Sequence, residues 1–409
     1  MKAAVGKIGW GFDRAKCFFE EIDQRAGERD LPLLAVSIYR GVVPRSETES
    51  GARSGDLATY KMCEPDDIVI NRMSAYQGAV GRAPVSGVVS PEYMVLRVRP
   101  GLDANYFGHL VKSSWFVSEM TAWLRGIGTP DQGNVRTPRV NVASLGNIRI
   151  PFPPEDEQRV IADFLDAETA RIDSLIDTKR RLVRLLKEWE QASLLAFIGD
   201  WRNELTRSLR QYGTSVVTGP FGTQLSANEY VAGGVPVINP THISGGSIEP
   251  DHNVTVSESV SARLIRHRLG IGDIVMGRKG DVGRAALVRE VSSGWICGSD
   301  SIAIRTDPNR LYPEFLSLAL QVSLFRQQLE ATSTGATLGN VNESNLLALR
   351  VPDKSLDGQR AAVANARAAL GLVKQVRERL GSQLGLLRER RQALISAAVT
   401  GQLQVPRVA

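Results

Sequence analysis

The sequence predicts an α+β fold, with two α/β domains in a pseudo-two-fold arrangement joined by two long helices that form an antiparallel coiled coil. Three observations predict it. The chain of 409 residues repeats itself at one offset: Gln158-Arg159 matches Gln359-Arg360 (359 − 158 = 201), and Pro151 ending IRIP matches Pro352 ending LRVP (352 − 151 = 201). Each repeat orders its elements alike, and each closes on an apolar stripe about forty residues long.

In the first half the β-rich runs are LPLLAVSIYR, DIVINRM and EYMVLRVRP; in the second they are VPVINP, GDIVMGRKG and SIAIRT, punctuated by Gly, Pro, Asn and Ser. A short helix follows in each, over NYFGHLVKSSWFVSEM and PEFLSLALQVSLFRQQL. Next come Gly-rich polar loops, RGIGTPDQGNVRTPR and TSTGATLGNVNESN, then a last strand and the long helix. Upstream, DIV at Asp67 matches DIV at Asp273 (273 − 67 = 206) and GRA at Gly81 matches GRA at Gly283 (283 − 81 = 202). Length varies inside the globular parts and is constant across the helices. The domains are therefore read as 1–150 and 201–352, with helical segments 151–200 and 353–409.

Pro153 and Pro154 followed by Glu155-Asp156-Glu157 make a good helix start, because proline suits the first turn and carboxylates its positive end. The first stripe runs Ile161, Leu165, Ile172, Leu175, Leu182, Leu186, Trp189, and is expected to pack inward throughout. The second runs Ala366, Ala369, Val373, Val376, Leu380, Leu384, Leu387, Leu394. The first helix is acidic in front and basic behind, and the second ends in Arg388-Glu389-Arg390-Arg391, so the charges select an antiparallel pair. Gly371, Gly381 and Gly385 weaken the second helix by up to about 1 kcal/mol each, which close helix approach or a kink would explain.

Composition narrows the function classes. The chain is 43% hydrophobic and 23% charged with net charge +6, and arginine greatly outnumbers lysine, which suits phosphate and guanine. Cys17, Cys63 and Cys297 are far apart and provide neither a disulfide framework nor a zinc site. The opening MKAAVGKIGWGFDRAKCFF lacks an apolar leader, and no later run has eighteen uninterrupted apolar residues, so a cytoplasmic protein without a membrane segment is expected.

Two helices of equal length, paired antiparallel, set one domain at each end of a rod, a shape suited to a long, nearly symmetric ligand such as duplex DNA. IPFPPEDEQRVIADFLD with the helix behind it, GPFGTQL, YVAGGVPVINPTHISGG, the paired DDIV and GDIV stretches and the closing RRQALISAAVTGQL resemble the specificity subunits of type I restriction-modification systems. The resemblance covers essentially the whole chain. It implies a non-catalytic, sequence-specific DNA-binding subunit in the defence against foreign DNA. Two target recognition domains would each read half of a bipartite target, held apart by the coiled coil. It further implies two DNA-methylating modification subunits and restriction subunits as partners, with S-adenosylmethionine, ATP and Mg on those partners and no cofactor in this chain. The first half lacks GPFG and has LLAVSIYRGVVP in a comparable place, so the target is expected to be asymmetric.

The chain has no G-x-x-x-x-G-K-[ST] loop for ATP. INPTH at Ile238 is only superficially similar to the Asn-Pro-Pro-aromatic motif of adenine methyltransferases, and VPDK at Val351 reads as a strand end at a turn. His109, His242, His252 and His267 show no metal spacing. No catalytic or metal residue is assigned.

The candidate DNA contacts are loop donors: Arg40, Asn71, Arg72, Tyr76, Gln77, Gln132, Asn134, Arg136 and Arg139 in the first half, and Gln224, Arg278, Lys279, Thr334, Thr337 and Asn340 in the second. The helix starts Glu157, Gln158, Arg159, Gln359 and Arg360 are candidate docking surfaces for partner subunits. The other reading is a pseudo-symmetric coiled-coil scaffold that links two proteins without touching DNA.

Overall fold

A computed structural model describes residues 10–38, 40–45, 57–122, 139–200, 202–278, 284–332 and 341–406. The chain divides into two compact units, Met1–Arg180 with Gly381–Ala409, and Arg181–Leu380. The first unit contains β1 (Gly11–Arg14), β2 (Phe19–Ile22), β3 (Leu34–Ser37), β4 (Gly41–Pro44), β5 (Lys61–Cys63), β6 (Ile68–Asn71), β7 (Val80–Arg82), β8 (Gly87–Val89), β9 (Tyr93–Val98), α1 (Ala104–Lys112), α2 (Ser114–Ala122), α3 (Val142–Gly146), β10 (Arg149–Phe152) and the front of α4 (Glu155–Ile198). The second contains the rest of α4, then β11 (Thr206–Ser208), β12 (Ser215–Thr218), β13 (Tyr230–Val231), β14 (Val235–Ile238), β15 (Ile243–Ser244), β16 (Ser247–Ile248), β17 (Thr255–Val256), α5 (Glu258–Arg263), β18 (Ile274–Gly277), β19 (Ala285–Leu287), β20 (Ile296–Cys297), β21 (Ser301–Arg305), α6 (Pro313–Ala319), α7 (Ser323–Thr332), α8 (Glu343–Ala348), β22 (Arg350–Pro352) and the front of α9 (Leu356–Val399). The rear of α9 belongs to the first unit.

One four-stranded sheet is built twice. Its order is β2-β9-β6-β7 in the first unit and β12-β21-β18-β19 in the second, with antiparallel neighbours. The matched DIV stretches fill the strands β6 and β18, whose apolar residues are buried on both faces. The acid that opens each stretch is a bracket: Asp67 accepts from Arg97 at 2.9 Å and from the Glu64 amide at 2.8 Å, and Asp273 accepts from Arg305 at 3.3 Å and from the Gly270 amide at 2.8 Å. One face of each sheet packs on helices. Phe107, Leu110, Phe116 and Leu165 share a core with Ile68 and Ile70, and Phe315, Phe325, Leu194 and Ile198 share one with Ile274 and Met276.

Each predicted short helix is two helices. Ser113, extended at ψ 144°, separates α1 from α2, and its hydroxyl both donates to the Leu110 carbonyl at 2.6 Å and accepts from the Phe116 amide at 3.1 Å. A residue that bonds its own backbone in this way competes with the helix ladder and ends it.

The long helices are 44 residues each, and in both units they run side by side in opposite directions. In the first unit Asp173 pairs with Arg391 at 3.0 Å and Lys179 with Gln383 at 2.7 Å, so numbering falls on α9 as it rises on α4. In the second, Glu190 pairs with Arg377 at 3.2 Å, while Leu194 and Ile198 share a core with Ala362 and Val363. The acidic front of α4 therefore meets the basic end of α9. These partly exposed pairs stabilise by only a few tenths of a kcal/mol, and their effect is on direction.

The predicted stripe on α4 needs correction. Ile161, Leu165, Ile172 and Ile176 are buried, but Leu175, Leu182 and Trp189 are 46%, 42% and 48% exposed. A strict seven-residue step drifts about 20° per heptad on a helix of 3.6 residues per turn, so Leu175, Leu182 and Trp189 rotate outward. Steps of three and four carry the inner line to Leu194 and Ile198 instead. Close approach also fails as the reason for Gly371, Gly381 and Gly385, since a Cβ at any of them meets nothing within 4 Å. Among the described residues, no helix is long and apolar enough to cross a membrane, and no group of acids, histidines and cysteines is placed to hold a metal.

Candidate nucleic-acid interface

The sequence-matched strands β6 and β18 end at the same edge of their sheets, and each delivers an arginine at its next residue. Arg72 follows Asn71, which lies opposite Tyr93; Arg278 follows Gly277, which lies opposite Ser301. Each arginine is anchored through its carbonyl: that of Arg72 accepts from the Val140 amide at 3.2 Å, and that of Arg278 from the Val341 amide at 3.0 Å. Val140 and Val341 are themselves a matched pair (341 − 140 = 201). Each guanidinium also keeps one buried nitrogen without a hydrogen-bond partner among the described residues, Nε of Arg72 and Nη1 of Arg278. A buried donor left unpaired costs about 1–3 kcal/mol, so such a group in both copies marks a place where an acceptor is expected from outside.

Around Arg72 the first unit gathers most of its described candidates. Asn71 caps the turn by accepting from the Met73 amide at 3.1 Å, and leads into the short helical turn Ala75–Gln77. Gly78 ends that turn at φ 89°, a left-handed backbone that glycine adopts without strain. Tyr76 and Gln77 are exposed there and bonded to each other at 3.2 Å. Arg40 sits on the exposed turn between β3 and β4. Lys112 ties these two loops together: its ammonium donates to the carbonyls of Ser37, Ile38 and Gly78 at 3.3, 2.5 and 2.9 Å. Burial, with nearby Arg391, lowers its pKa to about 8. Sequence reasoning missed Lys112, which carries no local motif; it is recognisable only once α1 is docked under both loops. Beside it lies a cavity of about 460 Å³, lined by Arg40, Gln77, Lys112, Arg180, Arg388 and Arg391 against Asp173 and Asp177. Arg139 is paired with Glu92 and adjoins Val140, so it stands beside Arg72.

In the second unit Arg278 lies over Phe221, with Cζ 4.8 Å from the ring centroid, and its Nε donates to the Val341 carbonyl at 3.2 Å. Phe221, 45% exposed, was not singled out in the sequence. Gln224 is less available than expected, because its Oε1 accepts from the Phe221 amide at 3.2 Å and shapes that turn. Gln132, Asn134, Arg136, Lys279, Thr334, Thr337 and Asn340 lie outside the described residues.

Two of the helix-start candidates are not surface groups. Gln158 and Gln359 are wholly buried, each folded back from the first turn of its helix into its own domain. Gln158 accepts from the Asp103 amide at 3.1 Å and donates to the Pro153 carbonyl at 2.9 Å. Gln359 accepts from the Tyr312 amide at 2.7 Å and donates to the Lys354 carbonyl at 2.9 Å. Docking through these side chains is excluded. Arg159 and Arg360 remain exposed, and Glu157 accepts from the Trp10 indole at 2.7 Å.

The other motifs are occupied locally. His242 Nδ1 lies 3.2 Å from the Asn239 amide nitrogen within INPTH, and Asp353 of VPDK accepts from Arg207 at 2.9 Å and Tyr212 at 3.1 Å.

Residues 48–182 match the family described as Type I restriction modification DNA specificity domain. The chain is 20% identical over 311 residues to the type I restriction enzyme EcoBI specificity subunit of Escherichia coli, covering 71% of this chain and 65% of that protein. To the EcoKI specificity subunit of Escherichia coli K12 it is 25% identical over 234 residues, 52% of this chain and 47% of that one. The chain thus spans less than two thirds of the length of these relatives. In fold it is similar to a chain from a structure of the type I R-M system described for complex assembly and conformational transition, with TM-score 0.71, 15% identity, and coverage of 97% of this chain and 99% of that one. It is also similar to the HsdS subunit from Thermoanaerobacter tengcongensis, with TM-score 0.50, 16% identity, and coverage of 97% and 98%.

Proposed function

We propose, from the premise that the chain belongs to the type I restriction-modification specificity subunits, that it reads a bipartite, asymmetric DNA target and positions modification and restriction subunits on it. The observation that carries the reading is the repeated arginine, Arg72 and Arg278, held at one edge of two copies of the same sheet with an unpartnered guanidinium nitrogen in each. A guanidinium fork at a strand end suits the acceptors of a guanine edge or a phosphate. Arg40, Tyr76 and Gln77 add donors on one side, and Phe221 adds an aromatic face on the other.

Partner docking falls on the helices in this reading. Leu182, Leu185 and Trp189, 42%, 49% and 48% exposed, share one face of α4 at spacings of three and four. Arg159 and Arg360 flank the helix starts. S-adenosylmethionine, ATP and Mg belong to the partner subunits, and the chain itself contributes recognition and spacing. The test is a gel shift on host DNA with the purified chain, alone and with its modification subunit. A retarded band that weakens steeply with salt is expected. A complex with the modification subunit that never retards DNA would favour the scaffold reading.

A further inference from the structure

We infer that Glu21 and Phe221 set what each of the two equivalent arginines reads, Glu21 turning Arg72 into a donor–acceptor pair and Phe221 presenting Arg278 as a donor alone. The inference rests on the DNA-binding reading above. Strand register makes the comparison residue by residue. Glu21 lies opposite Leu96, which lies opposite Ile68; Val216 lies opposite Ile304, which lies opposite Ile274. Since Ile68 and Ile274 are matched in the repeat, Glu21 and Val216 hold the same place on β2 and β12. The Glu21 carboxylate reaches Arg72 Nη2 at 3.0 Å. Val216 is buried apolar core and offers Arg278 nothing comparable.

Arg278 is instead held by Phe221, which stands on the GPFG turn, a sequence that the first half does not have. That turn lies against Gly298 only because residue 219 is glycine: a Cβ there would come within 1.7 Å of the Gly298 carbonyl oxygen. Stacking on an aromatic face fixes the plane of the guanidinium, while its Nε donates to the Val341 carbonyl and the buried Nη1 keeps no partner among the described residues.

The chemistry of the two sites then differs. Arg72 beside Glu21 offers a donor and an acceptor together, which matches a base pair presenting an acceptor next to an exocyclic amine; a phosphate is disfavoured by the carboxylate. Arg278 offers donors only and takes an acceptor-only feature, a guanine edge or a phosphate. Identical arginines thereby read unlike half-sites.

The test uses the full chain assembled with its modification subunits, read by methylome sequencing and by binding to a target duplex across salt concentrations. Glu21→Gln is expected to relax one base position in one half-site, leave the other half-site intact, and steepen the salt slope by about one phosphate contact as the Arg72 charge is released. Phe221→Ala is expected to weaken binding about tenfold, the scale of one cation–π contact, with Phe221→Tyr restoring it. If Phe221→Ala misfolds, Phe221→Leu keeps the apolar bulk without the ring face and is expected to show the same loss. For Arg278, a changed base preference assigns a guanine edge, and uniform weakening assigns a phosphate. Unchanged half-sites and salt slope in Glu21→Gln, or full affinity in Phe221→Leu, would overturn the inference. Arg72→Ala and Arg278→Ala separate the two levels. If they lower affinity while Glu21 and Phe221 variants do not, the inference alone fails; if they too leave DNA binding untouched, the reading beneath it fails.

Discussion

Arg72 and Arg278 hold the same position in two copies of one sheet, 278 − 72 = 206 residues apart, each bonded through its carbonyl to a matched valine amide and each with a buried guanidinium nitrogen unpaired. A core arginine with this pattern in one copy would be an isolated defect. Its recurrence in both copies, beside different neighbours, ties it to something the two units do in common.

Gln158 and Gln359 fasten each long helix to its domain, and their loss is expected to be felt in folding. Gln158→Ala leaves the Asp103 amide and the Pro153 carbonyl without a partner, and Gln359→Ala does the same to the Tyr312 amide and the Lys354 carbonyl. Each variant should lose about 1–3 kcal/mol in a urea titration, with little change for Arg159→Ala or Arg360→Ala.

Gly381→Ala and Gly385→Ala are expected to stabilise the isolated chain, because nothing lies within 4 Å of the added Cβ and the helix gains up to about 1 kcal/mol at each. Thermal melts of the single and double variants check this. A lowered melting temperature would show that the glycines serve a bend.

Lys112 gives a pH signature. Its pKa is lowered to about 8 in the fold, by burial first and then by Arg391, while the unfolded chain keeps its proton up to the ordinary lysine range near 10.4. Below pH 8 both states are protonated and the buried charge opposes folding in full. Above it the folded protein sheds the proton first, so this group's contribution to stability rises with pH until the ordinary range is reached. Arg40, Arg180, Arg388, Asp173 and Asp177 line the same cavity. Urea midpoints between pH 7.5 and 9.5 should therefore have a more positive slope in the wild type than in Lys112→Met, and parallel slopes would contradict it.

The exposed face of α4 should respond to the modification subunit. Burial of Trp189 on assembly is expected to blue-shift and strengthen its fluorescence relative to a Trp189→Phe chain, and Leu185→Lys should prevent complex formation without lowering the melting temperature. Assembly that proceeds normally with Leu185→Lys would move the docking surface elsewhere.

Much of this was legible in the sequence, and the limits are physical. The offset of 201 exposed both long helices because a helix repeats its contacts locally, and opposite charge at its two ends gave the antiparallel pairing. DIV marked the matched strands β6 and β18, whereas GRA did not, since Arg82 lies opposite Ile68 and its structural counterpart opposite Ile274 is Leu287. The inward face of α4 was misjudged at Leu175, Leu182 and Trp189, where seven-residue spacing competes with a 3.6-residue turn. Gln158 and Gln359 read as surface because a polar residue at a helix start usually is, and the amides that they accept from, Asp103 and Tyr312, come from segments over forty residues away. Lys112, Glu21 and Phe221 were invisible, since each acts on a partner brought close only by sheet pairing or helix docking.

The central claim is that the repeated arginines read separate halves of one DNA target, and methylome sequencing of cells carrying Arg72→Ala or Arg278→Ala with the modification subunit tests it most directly. Each substitution is expected to remove about 1–3 kcal/mol of discrimination at a base it contacts. The account predicts that each variant alters or weakens methylation through one half-site only, a different one for each, with the spacing between them unchanged. Wild-type methylation patterns in both variants, or the same half-site affected by both, would contradict it.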